Sequence, residues 1–379
     1  PAPGVTIVHK QSERRLSASV VVVGLVALSG PGFAQQKPNQ PSSGAADIEV
    51  VPVRGNVYML AGAGGNIAVS VGRDGVLVVD SGTAEMSDKV VAAIQGLATA
   101  VTATPSAAKP CTGVTCLGTS IPSFHAVTAS PAPAKPIRYI INTHLHPDHT
   151  GGNAKLVVAG RTFSGGNVIG DRPDITEDAS VIAHENVLAR MGEGSSQGTV
   201  LTKGLPTETY FGKQMKLSHF FNGEGVLIVH QPSAHTDGDS FVYFRGSDVI
   251  SAGDLFSMTT FPVIDVERGG SIQGILDGLN RILDMSIAEF RTEGGTMVIP
   301  GHGRIGDSAD VAYYRDMVTI IRDRVQDLMK KGMTLAQIKA ARPTEDWDAR
   351  FGTNPAWTPD MFVDAIYKGL SATPTRTKK

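Results

Sequence analysis

The chain has 379 residues, is 41% hydrophobic and 18% charged, and carries a formal net charge of −2. That length supports a large core without crosslinks, the apolar fraction excludes wholesale disorder, and the near-balanced charge excludes an obvious polyanion binder. Two cysteines exclude a disulfide scaffold and a four-thiolate zinc site, and 43 glycines with 6% aromatics suit a turn-rich enzyme better than a helical array.

In chain order, Lys10, Arg14 and Arg15 precede an apolar run from Leu16 to Leu28, and the small residues Gly32 and Ala34 follow. A basic stretch, a short apolar core and a small-residue exit make residues 1–34 a secretory signal peptide. The run is shorter than the about 20 residues a membrane span needs. The expected product is therefore an exported protein, periplasmic or secreted, with no membrane association once the signal is removed. Residues 35–47 read as a disordered leader.

Ile48–Val53 and Val57–Leu60 form a hairpin around Arg54-Gly55-Asn56, and Ile67–Val71 and Val76–Val79 a second pair around the turn Gly72-Arg73-Asp74-Gly75. Ser87–Leu97 has helical periodicity. Residues 98–136, rich in Ala, Thr, Ser and Pro, read as an irregular insertion; in it Cys111 and Cys116 either close a small loop or stand as free thiols. The strand Ile137–Ile141 follows, then a helix over Ser180–Met191. Strands are expected at Val226–His230, Phe241–Phe244, Val249–Ser251 and Met297–Pro300, with a helix over Ile272–Met285. The long helix Val311–Lys331 opens a C-terminal helical extension, 311–379, behind a main domain of 48–310. Two strand-and-helix series imply two βα halves rather than one parallel sheet.

The chemistry concentrates in Thr143-His144-Leu145-His146-Pro147-Asp148-His149-Thr150-Gly151-Gly152-Asn153, directly after the strand Ile137–Ile141. Three imidazoles and a carboxylate within six residues are too polar for a core and too dense for an ordinary loop. His144 and His146 suit one metal, Asp148 and His149 a second, and imidazole with carboxylate favours zinc over calcium or magnesium.

His-x-His-x-Asp-His after an apolar strand resembles the metallo-β-lactamase superfamily, and further landmarks recur in order over roughly 48–303. Gly75-Val76-Leu77-Val78-Val79-Asp80 resembles its early strand ending in an acid, Ala234-His235-Thr236-Asp237-Gly238-Asp239 its third motif, Ser251-Ala252-Gly253-Asp254 its fourth, and Pro300-Gly301-His302-Gly303 its last. The resemblance implies an α/β (α+β) fold, an αββα sandwich with a dinuclear metal site at the sheet edge. It gives His144, His146 and His235 to one zinc and Asp148, His149 and His302 to the other, with Asp254 bridging. Iron and manganese stand as alternatives to the two zinc ions. Asp80, Asp237 and Asp239 are candidate acceptors behind ligand imidazoles. An Asp at position 254 resembles the glyoxalase II, lactonase and phosphodiesterase branches more than the true β-lactamases.

The implied enzyme is a metal-dependent hydrolase, β-lactamase-like, acting on a small molecule with a hydrolysable carbonyl, a β-lactam or lactone first. Asp148 is the expected catalytic group, orienting the nucleophile and passing a proton. The competing activities are a glyoxalase II-like thioesterase and a persulfide dioxygenase using non-haem iron. The related diiron reductases generally place Glu where this chain has His146. A nuclease would need a basic stripe that this chain lacks, so no nucleic-acid partner is expected. His9, His125, His184, His219 and His230 read as structural or solvated, His184 as a residue of the Ser180–Met191 helix. Ala61–Asn66, Asn153 and Phe256–Phe261 are expected around the pocket mouth.

Overall fold

The computed structural model describes residues 47–102, 136–161, 178–193, 202–217, 220–286 and 295–371. The signal peptide, nearly all of the leader, Cys111 and Cys116 with most of their insertion, and His9, His125 and His219 lie outside these residues.

Strict alternation along the strands sets the layers. Val76 and Val78 face one core, Leu77 and Val79 another, because successive strand side chains point to opposite faces. Strands β1 (Glu49–Arg54), β2 (Val57–Ala63), β3 (Gly65–Gly72) and β4 (Gly75–Val79) form an antiparallel meander. β5 (Ile137–Ile141), β6 (Ser180–His184) and β7 (Glu208–Tyr210) add to it in parallel, giving a seven-stranded sheet in chain order. β8 (Gln214–Lys216), β9 (Val226–His230), β10 (Ser240–Phe244), β11 (Val249–Ser251), β12 (Met297–Ile299) and β13 (Gly306–Asp307) form a six-stranded sheet ordered from β13 to β8. It is antiparallel apart from the β11–β12 pair.

The two sheets meet face to face over Leu77, Val79, Ile141, Ile182, Ile228, Val242 and Ile299. The outer face of the first sheet is covered by α1 (Ser87–Thr102), and by α3 (Asn153–Ala159), which follows the single turn α2 (Pro147–Thr150). α4 (Glu185–Glu193) follows β6. The outer face of the second sheet is covered by α5 (Ile272–Met285) and α6 (Ser308–Lys330). α7 (Leu335–Ala340), α8 (Glu345–Phe351) and α9 (Pro359–Ser371) join that same core through Ile338, Phe351 and Phe362. The expected αββα sandwich is therefore present. No helix among the described residues is long and apolar enough to cross a membrane.

One expected element is wrong. Ser180–Met191 is not a helix: Ser180–His184 is strand β6, and the helix begins only at Glu185. Buried on both faces between two parallel neighbours, this strand needs a continuous apolar run, which periodicity alone does not separate from a helix. His184 accordingly ends a strand, buried, with its ring stacked on His230 of the other sheet at 3.6 Å between centroids and 5° between planes.

Candidate metal centre

Parallel β4 and β5 end at the same sheet edge, where α/β proteins bind ligands. Asp80, just past β4, has φ 65°, a left-handed conformation that Asp tolerates better than most residues. Its N–H donates to the Ile141 carbonyl at 2.8 Å, locking the turn to β5. Its carboxylate then organises the loop after β5. Oδ1 accepts the Thr143 N–H, and Oδ2 accepts both the Thr143 hydroxyl and His149 Nδ1, each at 2.8 Å. Pro147 opens α2 at a position where its missing N–H costs nothing, and that turn swings Asp148 and His149 back over β3. His235 comes from the β9–β10 connection, Asp254 from the turn after β11, and His302 from the loop after β12.

Outer partners fix which nitrogen of each ring faces inward. His149 Nδ1 donates to Asp80 and His235 Nδ1 to the Val263 carbonyl at 2.7 Å. The Thr143 hydroxyl, already donating to Asp80, accepts from His144 Nδ1 at 3.0 Å. His146 is turned the other way, its Nε2 donating to Asp265 at 3.1 Å. The inward atoms of His144, His146 and His235 are therefore lone pairs when these rings are neutral. His235 Nε2 and His146 Nδ1 face each other at 2.8 Å, an arrangement that needs a shared proton or cation between them.

Two groups result: His144, His146, His235 and Asp254 in one, Asp148, His149 and His302 in the other, the ligand atoms within 4.8 Å of one another in each. Tetrahedral zinc with bonds of about 2.1 Å spaces its ligands by about 3.4 Å. Asp254 stands between the groups. Its Oδ2 lies 3.7 Å from His235 Nε2 and 3.9 Å from His144 Nε2, and its Oδ1 3.2 Å from His149 Nε2 and 3.4 Å from His302 Nε2. Asp148 Oδ2 lies 3.3 Å from His302 Nε2. His144 Nε2, His149 Nε2 and Asp254 Oδ1 are buried and make no hydrogen bond, the His149–Asp254 pair being an ion pair off the hydrogen-bond line. Buried polar atoms left this way are expensive unless a cation takes them, so the donors fit a metal pair.

The charges divide the two groups. Burial, with the other rings, holds His144 well below the usual imidazole range, and burial also lowers His235 against the pull of Asp254. Burial opposes charge on His149 and His302 too, but Asp254 with Asp80 holds His149 well above that range, and Asp254 with Asp148 lifts His302 to about 10. Burial opposes ionisation of Asp254, and the His149 and His302 charges overcome it, leaving its pKa well below the carboxylate range. Two glycines make room. A Cβ on Gly301 would collide with Asp254 Oδ1, and one on Gly65 would come within 2.6 Å of the His149 ring.

The remaining expectations fare differently. Asp239 does not reach a ligand ring: it accepts the N–H and hydroxyl of Thr236 at 2.8 and 2.6 Å, shaping the loop that carries His235. Asp237 accepts from Arg190 at 2.8 Å. Asn153 is buried and bonded to Ser81, Asn142 and the Gly204 carbonyl, so it braces the loop and does not line a pocket. Ala61–Asn66 is the tight β2–β3 connection, its buried Asn66 donating to the carbonyls of Pro300 and Gly303. Of Phe256–Phe261, both phenylalanines lie in the core, while Ser257, Thr259 and Thr260 line the site. Asp265, the acceptor behind His146, was not singled out in the sequence. It lies far along the chain in a loop without a motif, and only the fold brings it there.

The cavity over the centre measures about 310 Å³ and is lined by His146, Asp148, His235, Asp254 and His302, with Asn354, Ala356 and Trp357 opposite. The family model described as metallo-beta-lactamase superfamily matches residues 60–302. No curated protein matches the chain. Among solved structures, DIM-1 metallo-beta-lactamase is 15% identical over 72% of this chain and 98% of its own, with a TM-score of 0.45. The metallo-beta-lactamase from Pontibacter korlensis is 14% identical over 72% and 99%, with a TM-score of 0.46. A double mutant of the sec-alkyl sulfatase PisA1 is 15% identical over 88% of this chain and 52% of its own, with a TM-score of 0.51.

Proposed function

The chain belongs to the metallo-beta-lactamase superfamily, and from that premise we propose that it is an exported hydrolase holding two divalent metals, zinc by the nature of its donors, and opening a cyclic amide or lactone. The observation that carries this reading is Asp254, which offers one carboxylate oxygen to each of two imidazole clusters. His144, His146 and His235 would hold one ion and Asp148, His149 and His302 the other. When bound, such a pair polarises a carbonyl and brings the pKa of water near neutrality.

The chain's own residues supply the rest. Asp80 and Asp265 hold the His149 and His146 rings in one tautomer and orientation, and the Thr143 hydroxyl does the same for His144. Burial opposes ionisation of Asp148, but its hydrogen bond from His302 and the His149 charge lower its pKa, so it is a carboxylate at neutral pH. Partly exposed at the cavity floor, it is placed to accept a proton from the attacking water and return it to the leaving group. Ser257, Thr259 and Thr260 line the cavity, in a turn held by the Ser257 hydroxyl, which accepts the N–H groups of Thr259 and Thr260. The basic stretch and apolar run of residues 10–28 support export.

The test is a panel of nitrocefin, a carbapenem, an acyl-homoserine lactone, a thioester and a phosphodiester on zinc-loaded protein. Turnover of a lactam or lactone that vanishes with a chelator and returns with zinc is the expected result. Intact lactams, lactones and thioesters, with oxygen consumed alongside a persulfide by iron-loaded protein, would overturn it.

A further inference from the structure

A separate cavity, of about 160 Å³, opens on the outer face of the second sheet where β9 begins, at the opposite end of that strand from the loop carrying His235. The strand registers set its walls. Leu227 has Lys216 of β8 and Tyr243 of β10 as cross-strand partners, so these three side chains share one face. Leu227 itself is buried in the core of the outer layer and forms the apolar floor. Two residues before it, Gly225 lies on the same face, and its carbonyl accepts the Arg245 N–H at 3.3 Å. Without a side chain, Gly225 leaves a gap flanked by Phe220 and Arg245. A Cβ there would lie 3.3 Å from the Phe220 ring and 3.7 Å from Arg245 Cδ.

Lys216 and Arg245 both line this cavity, and neither has an acidic partner among the described residues. Other surface cations stand against carboxylates, as Arg304 does with Asp310, Arg324 with Asp346 and Lys331 with Asp327. The neighbouring acid, Glu224, is buried and already committed. Its Oε2 accepts the N–H groups of Gly246 and Ser247 at 2.7 and 3.1 Å, and its Oε1 accepts the Ser247 hydroxyl. The described lining therefore joins a leucine floor and an aromatic ring to two cations without a counter-charge, and it contains no carboxylate.

We propose that this cavity is a second binding site, remote from the metal centre, for a small amphiphilic monoanion: a carboxylate carried on one apolar ring. The ring lies over Leu227 and against Phe220, in the gap at Gly225, and the carboxylate meets Arg245 and Lys216. A cavity of about 150 Å³ takes a benzene ring, so the volume here sets the size of the apolar body at one ring. The guanidinium offers parallel N–H donors that match two carboxylate oxygens, and the ammonium adds a point charge. A neutral amide of the same shape leaves both cations uncompensated, and an amine is repelled by them. The site is independent of what the metal centre turns over.

The test must separate this cavity from the metal centre, which also attracts carboxylates. Zinc-loaded, full-length protein labelled at its leucine methyl groups is titrated with phenylacetate and with its neutral isostere phenylacetamide. The Leu227 methyl signals, assigned as those lost in Leu227→Ile, report the cavity floor alone. They should shift on addition of phenylacetate, with an affinity at least roughly tenfold above that for phenylacetamide, since hydrogen bonds to a charged group are at stake. Lys216→Gln combined with Arg245→Gln, both at exposed positions, should keep the circular dichroism spectrum and metal content of the wild type and remove that preference. Leu227 signals that stay still under phenylacetate, or that shift with equal affinity for the amide or in the double variant, would overturn the site.

Discussion

At the scale of single residues, Asp254 and Asp80 divide the work of the centre. Asp254 touches both imidazole clusters, whereas Asp80 touches the outer nitrogen of His149 and the loop at Thr143. Removing a group shared by two ions should therefore cost more than removing an outer hydrogen-bond acceptor, which typically costs 10–100-fold. Metal analysis after reconstitution should give about two ions per chain for the wild type. Asp254→Ala should fall below one, with activity lost well beyond that range. Asp80→Ala should lose roughly 10–100-fold in metal affinity, and Asp237→Ala, which meets Arg190 and no ligand ring, should stay near wild type. Equal, mild losses in Asp254→Ala and Asp237→Ala would show that the bridge is misassigned.

At the scale of elements, what was legible in the sequence was whatever its local pattern had to satisfy. The continuous apolar runs Gly75–Val79 and Val226–His230, bounded by turn residues, mark buried strands, and the dense His/Asp segment directly after an apolar strand marks the loop at a strand end. The misread helix over Ser180–Met191 and the unsuspected strands β7, β8 and β13 are short or buried on both sides, so tertiary pairing decides them. The stack of His184 on His230 is of that kind. It joins β6 of one sheet to β9 of the other, and His230 Nδ1 also donates to the Asp239 carbonyl at 2.9 Å. Burial and the neighbouring His184 ring push His230 down to about 4, and burial lowers His184 as well. An unfolded imidazole takes its proton near 6.5, so below that pH the unfolded chain binds more protons than the folded one. The stabilisation is complete above about pH 6.5 and is lost as the pH falls towards 4. His230→Gln should therefore show a shallower decline of Tm between pH 6.5 and 4 than the wild type. Parallel curves would mean that the stack does not titrate in this window.

At the scale of the whole molecule, the helices after residue 308 are part of the second outer layer. The described residues form one compact unit, and Phe351 and Phe362 lie in the same core as Phe256, Phe261, Tyr314 and the outward face of the second sheet. Phe362 is fully buried and stacked on Phe261 with centroids 5.1 Å apart, and Phe261 follows directly the loop of Ser257, Thr259 and Thr260 that lines the centre. The C-terminal segment thus fixes both its own tryptophan wall and the far side of the catalytic cavity. Phe362→Ala leaves a cavity in a close-packed aromatic cluster, a change that costs about 3–5 kcal/mol. In urea, sheet structure followed by circular dichroism and the C-terminal segment followed by Trp347 and Trp357 fluorescence should unfold together in the wild type and at a lower common midpoint in the variant. A fluorescence transition that separates from the circular dichroism transition, with the latter unmoved, would mean that the extension is an independent cap and not a shared layer.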